Sequence, residues 1–265
     1  MTRRRPTVAD LRALKGKAQL TMLRVSTLDE AAAAEAAGID IVSILPDLAT
    51  HPRYREAAPS LFSMTGKTHL DCGTADDYLR YAGEMLGRGV DALYCSGSLK
   101  TVEHLAREYI PIVGHVGLVP SRMTWTGGFR AVGKTAESAA ALYRECRAYQ
   151  EAGAFAVEIE VVPPEVATEI SRRLDLLLWS MGAGPGCDAQ YLFAEDILGE
   201  NRGHIPRHAK VYRNFAAELD RLQQERIAAF REFRDDVAAG AFPEDGHLVR
   251  MDPVEFEKFL EAIER

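Results

Sequence analysis

Glu158 and Glu160 stand in the run Ala-Val-Glu-Ile-Glu-Val-Val-Pro (156–163), alternating with Val157, Ile159 and Val161. In a β-strand that spacing puts both carboxylates on one face. A carboxylate within an apolar strand must be paired, neutralised or used in chemistry. If the shared face is a barrel interior, at least one of the two pKa values rises, which suits a general base or a metal ligand. Glu160, at the C-terminal end of the run and just before Pro163-Pro164, is the candidate catalytic residue. The competing reading is a buried ion pair with a lysine or arginine of the core, and it applies most to Glu158, deeper in the strand.

His115 follows the run Ile110–Val113 and lies between Gly114 and Gly117. Glycines on both sides let the chain turn sharply and a ligand approach closely, so His115 is read either as a substrate contact or as a packed loop residue. Gly182-Ala183-Gly184-Pro185-Gly186 exposes several backbone N–H groups that could hold an oxyanion or carboxylate, or forms a plain tight turn. It has neither Walker A nor GxGxxG spacing. Asp188 and Gln190 just beyond it are further ligand candidates, and Gly127-Gly128-Phe129 with Trp125 is read as an aromatic-bearing lid or an ordinary loop.

These groups need elements to position them. Apolar runs of strand length alternate with helical patterns along the chain, the signature of βα units. Strands are expected at Leu20–Val25, Ile39–Leu45, 63–71, Ala92–Cys95, Ile110–Val113, Ala156–Val162 and Leu176–Met181, and helices over Leu28–Ala37, capped by Thr27 and closed by Gly38, and over Thr135–Ala152. Irregular chain is expected over 47–63, a Gly-rich loop over 114–133, and helix beyond about residue 210. The pattern predicts one (βα)8 barrel domain over 1–265 with a C-terminal helical extension. The unusual residues fall at strand C-terminal ends, where such barrels place their sites.

With 265 residues, 32 Lys+Arg against 39 Asp+Glu and a net charge of −7, the chain argues against nucleic acid or an anionic membrane as its main partner. Arg3-Arg4-Arg5 is expected to be a solvated tail. No apolar run reaches membrane-spanning length. Cys72, Cys95, Cys146 and Cys187 form no C-x-x-C pair, which argues for reduced thiols in the cytoplasm rather than a zinc site or disulfide framework.

The runs Gly114-His115-Val116-Gly117-Leu118-Val119-Pro120, Gly127-Gly128-Phe129, Glu160-Val161-Val162-Pro163, Gly182-Ala183-Gly184 with Cys187-Asp188-Ala189-Gln190, and Asp196-Ile197-Leu198-Gly199 together resemble the ketopantoate hydroxymethyltransferases of pantothenate biosynthesis. The resemblance holds in order and spacing from about residue 110 to 250. It implies a barrel of the phosphoenolpyruvate mutase and isocitrate lyase type that binds Mg²⁺ and a small 2-keto acid. Glu160 would remove the C3 proton of 3-methyl-2-oxobutanoate, and 5,10-methylenetetrahydrofolate would deliver the one-carbon unit. His115, Ser96, Gly182 and Gly184 would contact substrate, and the protein would form a homo-oligomer.

The N-terminal half departs from that family. A Gly-Asp-Ser run becomes Ile44-Leu45-Pro46-Asp47-Leu48, a second metal aspartate has only Asp71 to stand for it, and Lys-x-Glu-Gly-Gly becomes Tyr94-Cys95-Ser96-Gly97-Ser98. Asp47 and Asp71 are therefore the metal candidates. Losing the other carboxylates weakens a site for a hard dication. Two alternatives stand beside the transferase: a superfamily relative with lyase or aldolase chemistry, in which Arg24, Lys67 or His69 replaces the cation, and a non-catalytic binding protein.

Overall fold

A computed structural model describes residues 3–67 and 69–264, with the side chains of residues 69 and 70 outside the description. The described chain divides into two compact units, Met1–Arg213 and Asn214–Arg265. The first is built on eight parallel strands closed into a barrel in sequence order: β1 (Leu20–Val25), β2 (Ile41–Ile44), β3 (Phe62–Lys67), β4 (Ala92–Cys95), β5 (Ile112–Gly117), β6 (Ala156–Glu160), β7 (Leu177–Met181) and β8 (Ala189–Phe193).

Alternation along each strand sorts side chains between two cores. Leu20, Met22, Ile41, Phe62, Met64, Ala92, Val113, Ala156, Leu177, Trp179 and Tyr191 fill the interior. Val25, Val42, Leu93, Val116, Val157, Ile159 and Leu178 face outward into the helix layer. Leu11, on the helix Val8–Ala13, joins the interior cluster, so this leading helix plugs one end of the barrel. With that end closed, the upper inward positions can be polar only at the opposite, C-terminal mouth.

The caps read from sequence form as expected. The Thr27 side chain accepts from Glu30 N, and Gly38 closes Leu28–Ala37 at φ 76°. Three expectations need revision. Arg3, Arg4 and Arg5 are tied to Asp40, Asp10 and Asp91 at 2.7, 2.8 and 3.2 Å, so three carboxylates hold what the sequence suggested was a free tail. Residues 47–63 carry two short helices, Pro46–Thr50 and Tyr54–Ala57. β3 ends at Lys67, and His69–Cys72 is helical.

Two further differences concern the site. β5 runs to Gly117, which places His115 inside a strand instead of on a loop. Gly114 is there for packing: a Cβ at this position would run into the Tyr149 ring. β8 had no counterpart in the sequence reading. Only residues 182–188 separate it from β7, too few for the helix that normally announces the next strand. The second unit contains the expected helices, Phe215–Ala239 and Pro253–Ile263, joined through a short 3₁₀ turn at Asp245–His247.

Candidate active site

The C-terminal mouth opens into a cavity of about 490 Å³, within the range of small-molecule sites. Its wall follows the two-residue period of the strands: Arg24 from β1, Ser43 from β2, Gly66 from β3, Tyr94 and then Ser96 from β4, His115 from β5, Glu158 and Glu160 from β6, Met181 from β7, and Tyr191 and Phe193 from β8. Val119, Pro120 and Ser121, which follow β5, and Asp196, Pro206 and His208, which follow β8, also line it.

His115 and Glu158 sit side by side because β5 and β6 pair them in register, with Gly117 opposite Glu160 one step higher. His115 Nε2 lies 3.0 Å from Glu160 Oε2 and 3.9 Å from Glu158 Oε1. The Tyr94 hydroxyl hydrogen-bonds the other ring nitrogen, Nδ1. All three acid–base groups are buried or nearly so, with side-chain exposures of 7% for His115, 7% for Glu158 and 13% for Glu160.

Burial opposes a charge on His115. The charge of Glu158, with the hydrogen bond and charge of Glu160, outweighs it, and the imidazole pKa lies above its ordinary value. A protonated ring donates from both nitrogens, Nε2–H to Glu160 and Nδ1–H to the Tyr94 oxygen. Glu158 is pushed the other way from a normal carboxylate: burial raises its pKa and the neighbouring Glu160 charge adds to the rise, against the pull of His115. Burial also lifts the Tyr94 phenol well above its usual range. The cluster thus sets an imidazole whose protonation the neighbouring carboxyl groups favour beside Glu158, whose charge burial disfavours.

Backbone strain marks the same place. Val161, directly after Glu160, adopts φ 50°, a left-handed conformation that a β-branched residue reaches only at a cost of about 1–3 kcal/mol. Its N–H donates to Met181 O at 2.8 Å and its carbonyl accepts from Val132 N at 3.2 Å. These bonds turn the chain away at the rim and leave Glu160 as the last inward residue of β6.

Of the residues singled out from sequence, Glu160, His115 and Ser96 line the cavity. Gly182 and Gly184 lie behind its wall. A Cβ on Gly182 would come within 3.0 Å of the His208 ring, so this glycine makes room for His208, and Gly184 packs on Pro164 while its carbonyl accepts from Gln190 Nε2 at 2.9 Å. Asp188 is at the opposite end, where its Oδ2 accepts from Lys15 Nζ and Leu178 N, each at 2.8 Å. Trp125 and Phe129 are exposed. Asp47 is exposed on the helix after β2, Asp71 is exposed on the one after β3, and neither lines the cavity. Tyr94, Tyr191, Asp196 and His208 were missed. Tyr94 carried a usable signal, since it falls on the inward period of the expected strand Ala92–Cys95, whereas Tyr191 lies on β8, which the sequence did not reveal.

A closed parallel barrel with a buried acid–base cluster at its C-terminal mouth is the architecture of a (βα)8 enzyme. The chain belongs, more specifically, to the ketopantoate hydroxymethyltransferase family, whose model matches residues 70–245. A 3-methyl-2-oxobutanoate hydroxymethyltransferase of Nitratidesulfovibrio vulgaris is 31% identical over 98% of this chain and 90% of its own length. One from Halalkalibacterium halodurans is 34% identical over 77% and 72%. Among solved structures, 2,3-dimethylmalate lyase, a PEP mutase/isocitrate lyase superfamily member, shares the fold at a TM-score of 0.51 and 16% identity, covering 98% of this chain and 94% of its own.

Mg²⁺, which the family resemblance implies, takes oxygen ligands in near-octahedral geometry. The cavity residues from the C-terminal ends of β2, β3 and β4 are Ser43, Ile44, Leu45, Gly66, Lys67, Tyr94 and Ser96, and none is a carboxylate. These residues do not fit the ion there. Among the described residues, one group can bring three donor atoms together, His115 with Glu158 and Glu160, all within 4.8 Å of one another. Its imidazole nitrogen suits a borderline ion such as Mn²⁺, Fe²⁺ or Zn²⁺ better than Mg²⁺.

Proposed function

We propose that this protein is a hydroxymethyltransferase that enolises a small branched 2-keto acid, with 3-methyl-2-oxobutanoate the first candidate, and joins C3 to a one-carbon unit. The observation that carries the proposal is Glu160: a carboxylate at the rim of the cavity, with Oε2 held at 3.0 Å by His115 Nε2. That bond orients the carboxylate and leaves Oε1 for the substrate's proton.

In the proposed reaction Glu160 takes the C3 proton, and the C–H electron pair becomes the C2=C3 bond of the enolate. C3 then bonds to the one-carbon unit of 5,10-methylenetetrahydrofolate. Both C–N bonds of that carbon, to N5 and N10 of the folate, break. Water supplies the oxygen and hydrogen of the new hydroxyl group, and its remaining proton and the proton taken from C3 go to the two folate nitrogens. Removing a proton next to a carbonyl needs both a fixed base and a cavity that keeps water from competing, which accounts for the burial of the cluster.

The proposed setting is the cytoplasm and pantothenate synthesis, with the protein a homo-oligomer. The C-terminal unit supports self-association, because Phe230, Phe233, Val237, Phe256 and Phe259 are all exposed. No described helix is long and apolar enough to cross a membrane. The test is product formation. Purified protein with 3-methyl-2-oxobutanoate and 5,10-methylenetetrahydrofolate should yield the hydroxymethylated keto acid by mass spectrometry, and Glu160→Gln should not. Absence of product with the wild type across a panel of branched and linear 2-keto acids would refute the transferase reading.

A further inference from the structure

We infer that Arg24 is the group that binds the substrate's carboxylate and stabilises the enolate oxygen, in the role the resemblance gives to a divalent cation. The inference rests on the 2-keto-acid reading above for the identity of the substrate, and on geometry for the anion site itself.

Arg24 is the last inward residue of β1. Its Cα pairs with Ser43 on β2 and Phe193 on β8, so the three residues form one level of the wall at the mouth. The guanidinium carbon lies 4.8 Å from the centroid of the Phe193 ring. This contact is a cation–π platform that presents a planar fork toward the cavity. The side chain is half-buried, yet it makes no ion pair within 4.0 Å and no hydrogen bond with any described residue. Arg55, also half-buried, has Asp91 at 2.8 Å as its partner. Glu158 feels the guanidinium's charge from beyond ion-pair distance, but a guanidinium taken partly out of water with its N–H donors unmet is costly, and a ligand carboxylate that accepts from them removes that cost.

The other candidate cation is disposed differently. Lys67 borders the same cavity, but its ammonium lies 4.8 Å above the Tyr81 ring, whose hydroxyl contacts Thr65 Oγ1 on the outer side of β3. His69 lies outside the described side chains. A 2-keto acid and its enolate are planar and place a carboxylate beside the carbonyl oxygen. A guanidinium can grip both with parallel N–H donors, whereas an ammonium acts as a point charge. With no carboxylate contributed to the cavity by the ends of β2–β4, the positive charge that the enolate requires has a source in this chain's own Arg24.

Calorimetric titration with oxalate, a planar dianion shaped like the enolate of a 2-keto acid, tests the site in the presence of a chelator. The same proteins are then assayed for exchange of the C3 proton of 3-methyl-2-oxobutanoate in D₂O, with chelator, with Mg²⁺ and with Mn²⁺. Wild type is expected to bind oxalate without metal. Arg24→Gln should raise its Kd roughly 10- to 100-fold, the scale of a lost charge-assisted hydrogen-bonded pair. Arg24→Lys should fall between them, because it keeps the charge and loses the fork. In exchange, Arg24→Gln should raise KM, through the lost carboxylate contact, and lower kcat, through the lost enolate stabilisation, while wild type remains active under chelation. A melting curve for each variant identifies any that fail to fold, and Arg24→Lys then carries the test. Oxalate binding that needs a metal, or is equal in wild type and both variants, overturns the inference even if exchange occurs. Metal-free oxalate binding that depends on Arg24 while wild type shows no exchange sustains the anion site and refutes the keto-acid reading.

Discussion

Glu160→Gln separates chemistry from folding more cleanly than any other change at this site. Gln is isosteric with Glu, and its amide oxygen can still accept from His115 Nε2, 3.0 Å from the present carboxylate oxygen. What folding loses is the difference between a charge-assisted and a neutral hydrogen bond, about 1–1.5 kcal/mol. Against a stability on the order of 5–15 kcal/mol, the variant remains almost entirely folded. What catalysis loses is the general base, a factor of about 10²–10⁴, or roughly 2.7–5.5 kcal/mol in the barrier. The assay is C3 proton–deuterium exchange followed by NMR in D₂O, which isolates enolisation and needs no folate. Glu158→Gln is the internal control. It lies on the same face two residues deeper, has a raised pKa and sits 3.9 Å from His115 Nε2, so it should leave the exchange rate within about tenfold. Exchange in Glu160→Gln within tenfold of wild type, or a larger loss in Glu158→Gln, would refute the assignment of the base.

The pH dependence of stability follows from the same cluster. Glu158 has a folded pKa above its ordinary 4.5 and His115 one above 6.5. For a raised pKa the stabilising contribution is complete below the unfolded value and is lost as pH rises through the folded one. Wild type should therefore lose stability from these groups as pH rises above about 4.5. Glu158→Gln should melt higher than wild type at neutral and alkaline pH, and parallel melting profiles from pH 4.5 to 9 would contradict this. Lys15→Met leaves Asp188, at 5% side-chain exposure, without its cation, and chemical denaturation should show a loss of about 3–5 kcal/mol, with exchange per folded molecule unchanged. Gly114→Ala drives a Cβ into the Tyr149 ring, with an expected cost of about 1–3 kcal/mol in the melting curve. An unchanged melting temperature would mean that β5 and the helix Ala136–Glu151 can part there without penalty.

Much of the architecture was already determined by the sequence. Alternating apolar runs and helical patterns are local properties, as are the Thr27 cap and the Gly38 stop, and they specified a parallel barrel before any contact was known. The placement of Glu158 and Glu160 on one face of one strand is equally local, since it follows from the pleat alone. β8 was not legible because the residues before it are too few to form a separating helix. His115 was read as a loop residue because flanking glycines suggest a turn, whereas Gly114 is required by the approach of Tyr149 from a helix more than thirty residues further along.

Only the closed barrel decided which residues share the cavity. Register between β5 and β6 brings His115 to Glu158 and Glu160, and closure between β8 and β1 brings Phe193 to Arg24. Both depend on pairing between strands distant in sequence, and no period within one strand encodes it. The same closure separated Asp188 from the mouth and left Asp47 and Asp71 exposed outside the cavity wall. A one-dimensional pattern sets the face of the strand on which a side chain lies. The groups that face it across the barrel are set by strand stagger, and here that stagger joins one imidazole to two carboxyl groups and leaves one guanidinium open to a ligand.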